Sequence, residues 1–281
     1  MQEVLRMKKR RWIWWTAVAA LLAALAFCAL DVRHIIRRYT VDAPEITAPV
    51  RLAVVADFHG CDYGPGAQRL LASIEAEGPD LVLLVGDIYD DEMPWDASDA
   101  LVTALAARWP TYYVTGNHEY WSEEIDEICR RVSAAGATVL DMDCRTVEVN
   151  GQRLNICGVP DPYAMVYSGA PETQVQLARA MSQAEPGAFT LLLAHRPEMI
   201  EAYAAAGFDL VVSGHAHGGQ VRLPGLLNGL YAPNQGFLPR YAGGEYCVGN
   251  TTLIVSRGLA RESTRVPRVF NPPELVIVTL Q

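Results

Sequence analysis

Five short apolar runs constrain this chain more than any other feature of its sequence. RLAVVAD, DLVLLVGD, TYYVTGN, FTLLLAH and FDLVVSGH are rich in β-branched and long aliphatic residues, and each ends in a polar cluster. A half-exposed strand would alternate apolar and polar residues, so an unbroken apolar run predicts a strand covered on both faces. Between these runs, residues 65–77, 96–108, 121–135, 172–184 and 198–206 carry apolar residues at helical spacing, with Pro65 and Ser122 marking starts. The alternation predicts an α/β body with helices over the sheet faces. Asn150–Gly151, between VEV and QRLNICG, predicts a hairpin, and YCVGN, TLIVSRG and LVIVTL predict further strands after Tyr246. The body shows no internal repeat, low-complexity tract or second domain boundary.

What stands at the strand ends carries the chemistry. In open α/β sheets, ligands bind beyond the carboxyl ends of the strands. Those ends hold Asp57 and His59, Asp87, Asn117 and His118, His195, then His215 and His217; of the six histidines only His34 lies elsewhere. A single Asp after a strand is ordinarily a cap or turn residue, and a single His ordinarily a hydrogen-bonded one. Five successive ends of this kind point to first-row metal ligands instead. The set is oxygen and imidazole with no thiolate, which suits Zn, Mn or Fe better than Ca. Seven ligands are too many for one tetrahedral ion. Two divalent ions roughly 3.5 to 4 Å apart, sharing one carboxylate, would use them all, and that spacing clamps a phosphoryl group. Neither GxGxxG nor GxxxxGK[ST] is present, so those phosphate loops are not in play.

Charge and hydropathy separate the N-terminus from the rest. Residues 1–40 hold eight Lys and Arg against two acids, whereas residues 41–281 hold fifteen Arg against thirty acids. The acidic body excludes nucleic-acid binding through a basic face. Trp12 to Leu30 are nineteen residues without a charge, which as a helix would be ~28 Å long, about one hydrocarbon thickness. Trp12, Trp14 and Trp15 stand where an interfacial aromatic belt would lie. The run exceeds a usual signal-peptide core, so a single-pass anchor is expected rather than a cleaved leader. Five basic residues precede it (Arg6, Lys8, Lys9, Arg10, Arg11) and three follow (Arg33, Arg37, Arg38), placing the N-terminus in the cytoplasm and the body extracytoplasmic. The expected divisions are 1–40, basic N-terminus and transmembrane anchor; 41–49, spacer; and 50–281, catalytic domain. Six scattered cysteines form no CxxC pair. In an oxidising space Cys129–Cys144 or Cys144–Cys157 could bridge, while buried free thiols are expected for most of them.

DFH (57–59), GDIYD (86–90), GNHE (116–119), AH (194–195) and GHAHGGQ (214–220) resemble, in order and spacing, the five signature blocks of the calcineurin-like metallophosphoesterases. GHAHGGQVRLP together with YCVGNTTLIVSRGL is similar to the membrane-anchored bacterial branch. The resemblance covers about residues 50–281. It implies a four-layer α/β/β/α sandwich of two mixed sheets. It also implies a first metal on Asp57, His59 and His217, a second on Asn117, His195 and His215, with Asp87 bridging, and a hydroxide between the ions as nucleophile. His118 would then face the phosphate, stabilising charge or protonating the leaving oxygen, and Asp90 would orient His118, with a solvated turn residue the alternative for Asp90. Gly86, Gly116, Gly214, Gly218 and Gly219 flank ligands and are expected to serve sharp turns. Residues 224–246 are expected to form a long loop that covers the core or combines that with a substrate wall, in preference to a dedicated lipid site. Arg196 and Arg222 are candidate phosphate contacts, with surface ion pairs the alternative.

The function expected is dinuclear metal-dependent hydrolysis of phosphate esters, phosphodiesters foremost, with lipid-linked or envelope-derived esters among them. A UDP-2,3-diacylglucosamine pyrophosphohydrolase of lipid A synthesis is one alternative, although it needs the cytoplasmic leaflet. A non-catalytic metal-binding receptor on the same scaffold is another, and His118 speaks against it.

Overall fold

The computed structural model describes residues 2–261 and 266–281. An N-terminal helix, α1 (Gln2–Ala29), precedes β1 (Ile35–Val41), β2 (Val50–Val55), α2 (Gln68–Glu77), β3 (Leu81–Val85), α3 (Asp96–Ala106) and β4 (Thr111–Val114). Then come α4 (Asn117–Trp121), α5 (Ile125–Ala134), β5 (Thr138–Val139) and the hairpin β6 (Asp143–Val149) and β7 (Gln152–Gly158), joined at Asn150–Gly151. The second half runs α6 (Ala164–Tyr167), α7 (Thr173–Met181), β8 (Phe189–Leu193), α8 (Ile200–Ala205) and β9 (Leu210–Ser213). Five strands complete it: β10 (Tyr231–Ala232), β11 (Gly236–Phe237), β12 (Gly244–Val248), β13 (Thr251–Val255) and β14 (Glu274–Leu280).

Two six-stranded mixed sheets form the centre, ordered β1-β14-β2-β3-β4-β5 and β12-β13-β9-β8-β7-β6. The reason the sequence shows apolar runs without alternation is visible in how each strand divides its side chains. Leu52, Val54, Leu81 and Leu83 face Ile156, Leu191, Leu193, Leu210 and Val212 between the sheets. Their neighbours Ala53, Val55, Val82 and Leu84 face Leu70, Ile74, Leu101 and Ile128 of the outer helices, and Leu192 and Val211 meet Leu177, Ile200 and Tyr203 on the far side. With each buried Leu or Val contributing about 1.5–3 kcal/mol, polar residues are kept out of the strands and collect at their ends. The result is the expected four-layer α/β/β/α sandwich.

Three local readings change. The helix expected over 121–135 is two: α4 ends at Trp121, and α5 begins at Ile125. Residues 35–41, divided between the expected anchor and spacer, are instead an edge strand, pairing in parallel with β14 from Ile35↔Glu274 to Val41↔Leu280. Its mixed pattern of Arg and Thr with Ile and Val suits an edge with one face packed, and gives no buried-strand signature. A chain beginning at residue 42 is therefore expected to unfold in urea with about 2 kcal/mol or more less stability than one beginning at residue 32, since Ile36, Tyr39 and Val41 lose their packing. Equal midpoints would show that β1 adds nothing. Third, the cysteines are not mostly buried free thiols: Cys144 and Cys157, opposed in the β6–β7 register, form one of the two bridges weighed, while Cys28, Cys61, Cys129 and Cys247 are free. Of these four, Cys28 and Cys247 are exposed rather than buried.

Among the described residues one helical span, Arg10–Ala29, is long and apolar enough to cross a membrane, and almost none of it is buried against the body. The 224–246 segment covers the core in part: Ala232, Tyr241 and Ala242 are buried, whereas Leu226, Phe237 and Leu238 are exposed.

Candidate metal centre

The carboxyl ends of β2, β3 and β4 in one sheet and β8 and β9 in the other open onto the same place. Asp57, His59, Asp87 and His217 bring ligand atoms within 4.8 Å of one another, and Asp87, His195 and His215 do the same. Asp87 is common to both groups. Asn117, not a titratable residue, lies between Gly116 and His118, and both of these touch Asp87: the His118 N–H donates to Asp87 Oδ1 at 2.9 Å. All seven candidate ligands are buried.

The backbone that presents them is strained. Thirteen non-glycine residues among those described have positive φ, and Asp57, His59, Asp87, His215 and His217 are five of them. Each such residue costs of order 1–3 kcal/mol unless its surroundings enforce it, and strain of this kind gathers at functional sites. Gly86, Gly218 and Gly219 take the left-handed φ expected of sharp turns, at 77°, 63° and 65°, whereas Gly116 and Gly214 serve a different purpose. Gly116 has an ordinary extended φ of −108°, yet a Cβ there would stand 2.2 Å from Asp87 Oδ1. Gly214, also outside the left-handed region, would put a Cβ 2.7 Å from Asp57 Oδ2. Both are glycine because a carboxylate occupies the side-chain space.

Hydrogen bonds fix which atoms face inward. His59 donates through Nδ1 to Asp90 Oδ2 at 2.6 Å, and its Nε2 is buried with no partner. His195 donates through Nδ1 to the Val85 carbonyl at 2.9 Å, which leaves Nε2 facing Asp87 Oδ2 at 3.0 Å. Two acceptors at that distance need a proton or a cation between them. Asp57 Oδ2, Asn117 Oδ1 and His217 Nδ1 are likewise buried without partners. Unsatisfied buried polar atoms are rare and costly, about 1–3 kcal/mol each, and four on one cluster fit a site for cations. The donors suit Zn, Mn or Fe. Electrostatics agree. Burial opposes charge on His195, but Asp87 and Asp57 outweigh it and hold the imidazole up at about 10. The carboxylates thus draw a proton where no metal sits. Burial, reinforced by neighbouring cationic side chains, pushes His215 and His217 well below the usual histidine range, leaving them neutral as ligation requires.

One expected role moves. Asp90 is bonded to His59, and it is Asp91 Oδ1 that accepts from His118 Nδ1, at 2.5 Å; Asp90 Oδ2 is 3.4 Å from that nitrogen. His118 is the partly open member of the group, its side chain 25% exposed, and its ring lies 4.7 Å from Trp121. Arg196 is no surface ion pair: it is buried, forks onto both oxygens of Asp161, contacts Asn234, and reaches His215 Nε2 at 3.1 Å. Arg222 bonds Asn228.

Two positioning residues had no signal of their own in the sequence. Asp161 and Asn234 are ordinary loop residues until the fold sets them beside Arg196 and His215. Glu119 could have been found, since it sits within GNHE. Its buried carboxylate accepts the N–H groups of Asp87, Ile88, Tyr89 and Gly116 at 2.8–3.1 Å, tying the β3 and β4 loops together. Burial and the nearby Asp87 push it up to about 7.

Comparison with known proteins identifies the family. Residues 50–219 match the family described as calcineurin-like phosphoesterase. The chain is 27% identical over 240 residues to phosphodiesterase YaeI of Escherichia coli, covering 83% of each chain. It is 27% identical over 248 residues to a bovine transmembrane protein with metallophosphoesterase domain, covering 79% of this chain and 52% of that one. Among solved structures, the 5'-nucleotidase precursor of Thermus thermophilus shares the fold, with a TM-score of 0.53 at 16% identity over 76% of this chain and 50% of the other. With more than half its length matched and the signature residues gathered at one place, the chain belongs to the calcineurin-like phosphoesterase family.

Proposed function

We propose that this chain, a metal-dependent phosphoester hydrolase by family, is a membrane-anchored phosphodiesterase that works with two divalent ions. Asp57, His59 and His217 would hold one ion and Asn117, His195 and His215 the other, with Asp87 available to both. The observation that carries this reading is that two ligand groups share Asp87, with four buried donor atoms around it lacking any partner. When bound, such ions polarise phosphoryl oxygens and lower the pKa of a water from 15.7 towards ~7, supplying a hydroxide nucleophile at neutral pH.

The chain's own contribution is to hold and aim. Asp90 and the Val85 carbonyl fix the tautomers of His59 and His195. His118, tied through Nδ1 to Asp91 and standing at the open edge, protonates the leaving oxygen or stabilises charge on the phosphoryl group. Trp121 and Tyr163, ring centroids 5.6 Å apart, wall that edge with aromatic surface. Phosphodiesters are favoured as substrates by the name of the Escherichia coli relative.

The test is hydrolysis of bis-p-nitrophenyl phosphate by the full chain with added Mn or Zn. His118→Ala is expected to lower kcat by about 10²- to 10⁴-fold while metal content stays at the wild-type level. Wild-type turnover in that variant would remove His118 from the reaction, and loss of metal would make it a ligand instead.

Anchoring through α1, with the domain extracytoplasmic, is supported by the apolar Arg10–Ala29 span, the basic residues before it and the bovine transmembrane relative. The Cys144–Cys157 bridge fits an oxidising space. Protein unfolded from carbonate-washed membranes without reductant is expected to expose four thiols to maleimide, and six after reduction. Six before reduction would put the domain on the reducing side.

A further inference from the structure

A cavity of about 530 Å³ lies apart from the metal-centre residues, where the start of β1, the end of β13, the approach to β14 and the 222–228 segment meet. Three arginines line it: Arg37, Arg222 and Arg257. Among the described residues one carboxylate pairs with them, the buried Glu274, which accepts from Arg257 Nε at 2.6 Å and lies 4.0 Å from Arg37. Among the described residues Arg222 has no acidic partner; it bonds the neutral Asn228, and its Nη1 is buried with no hydrogen bond. Burial, with Arg257 beside it, pushes its guanidinium below the usual range. Three guanidinium groups against one carboxylate leave the cavity cationic and short of acceptors.

Its surroundings narrow the ligand. Leu223, Leu226 and Leu227 line the same cavity, and Leu226 is 89% exposed. Phe270, also in the lining, donates its N–H to the carbonyl of Ala29, the last residue of the apolar helix, at 2.7 Å. If α1 spans a bilayer, Ala29 stands at its edge and the cavity at head-group depth. The body as a whole is acidic, with thirty acids against fifteen Arg after residue 40, and an anionic surface would repel it. Near the helix exit Arg33 is paired with Asp31 and Arg38 with Glu77, so the positive charge left is that of Arg37, Arg222 and Arg257 offset only by Glu274.

We propose that this cavity is a binding site for the phosphate head group of an anionic phospholipid in the leaflet where α1 ends, distinct from the metal centre. Guanidinium N–H groups match phosphate oxygens in number and geometry, and the leucine lip takes the start of the acyl chains. Bound lipid fixes how the domain sits over the bilayer. The proposal rests on the membrane-anchored reading above, but its test does not: retention in carbonate-washed membranes reads the anchor, and lipid titration in detergent reads the cavity.

The full chain in dodecyl maltoside is titrated by thermophoresis with dihexanoyl phosphatidylglycerol, dihexanoyl phosphatidylcholine and sn-glycerol 3-phosphate. Phosphatidylglycerol is expected to bind at least tenfold more tightly than either of the others. Arg37→Gln with Arg222→Gln should weaken it tenfold or more at an unchanged unfolding midpoint, and Asp87→Asn should change it less than twofold. Leu226→Ser, at an exposed position without bearing on folding, should weaken phosphatidylglycerol and leave glycerol phosphate unaltered. Equal affinity for phosphatidylglycerol and glycerol phosphate would make this a site for free phosphate and overturn the proposal. So would equal affinity for the two lipids. Loss of lipid binding in Asp87→Asn but not in the arginine variant would place the lipid on the metal centre, again overturning it.

Discussion

Asp87→Asn is expected to lower metal-dependent hydrolysis of bis-p-nitrophenyl phosphate by at least about 10³-fold in kcat, equivalent to ~4 kcal/mol of transition-state stabilisation. Asp87 is the residue common to both ligand groups, and each of its oxygens has a task. Oδ1 accepts the His118 N–H at 2.9 Å and Oδ2 faces His195 Nε2 at 3.0 Å. Asparagine keeps the shape and one acceptor, so the fold should survive with little change in unfolding midpoint. What it removes is the negative charge that, in the proposed centre, would hold two cations together. Metal content measured on the same sample should fall from two equivalents to one or fewer. Wild-type turnover in this variant would mean that no ion depends on that carboxylate.

Gly116→Ala is expected to cost at least about 10²-fold in kcat, although alanine is the smallest substitution available and the position carries no chemistry. The added Cβ would meet Asp87 Oδ1 at 2.2 Å and the Asp87 nitrogen at 2.6 Å. Real Cβ contacts do not approach so closely, so the carboxylate, the β4 loop or both must move by the better part of an ångström. Conformational strain is no part of this cost, because φ at Gly116 is −108°. Gly151→Ala supplies the contrast. Its φ is 74°, with nothing within 4 Å of a Cβ, so it should lose about 1–2 kcal/mol of stability and leave kcat unchanged. If the two variants behaved alike, crowding against Asp87 would not be the cause.

The candidate ligands were legible because the physics that makes them also marks them. Strands buried on both faces admit few polar residues, so Asp57, Asp87, Asn117, His195 and His215 stand out at the first positions where the chain leaves the strands. The four layers followed from the same runs together with the family resemblance. Long-range pairing left no such mark. Strand β1 pairs with β14 across more than two hundred residues, and IIRRYTV, with one face packed and the other exposed, reads as a polar spacer beside a membrane segment. Nor could sequence choose between two adjacent acids. Asp90 and Asp91 differ in which way the chain turns after β3, and that turn gives Asp90 to His59 and Asp91 to His118. From sequence Arg196 reads as a phosphate contact or a surface ion pair, and neither reading anticipates its burial, which Asp161, thirty-five positions earlier, permits.

Everything in this account depends on two cations sharing Asp87. Anomalous diffraction from crystals of the full chain grown with Mn measures that directly. The account predicts two peaks per chain, one reached by Asp57, His59 and His217, the other by Asn117, His195 and His215, both touching Asp87. A single peak, or two that do not share Asp87, would contradict it.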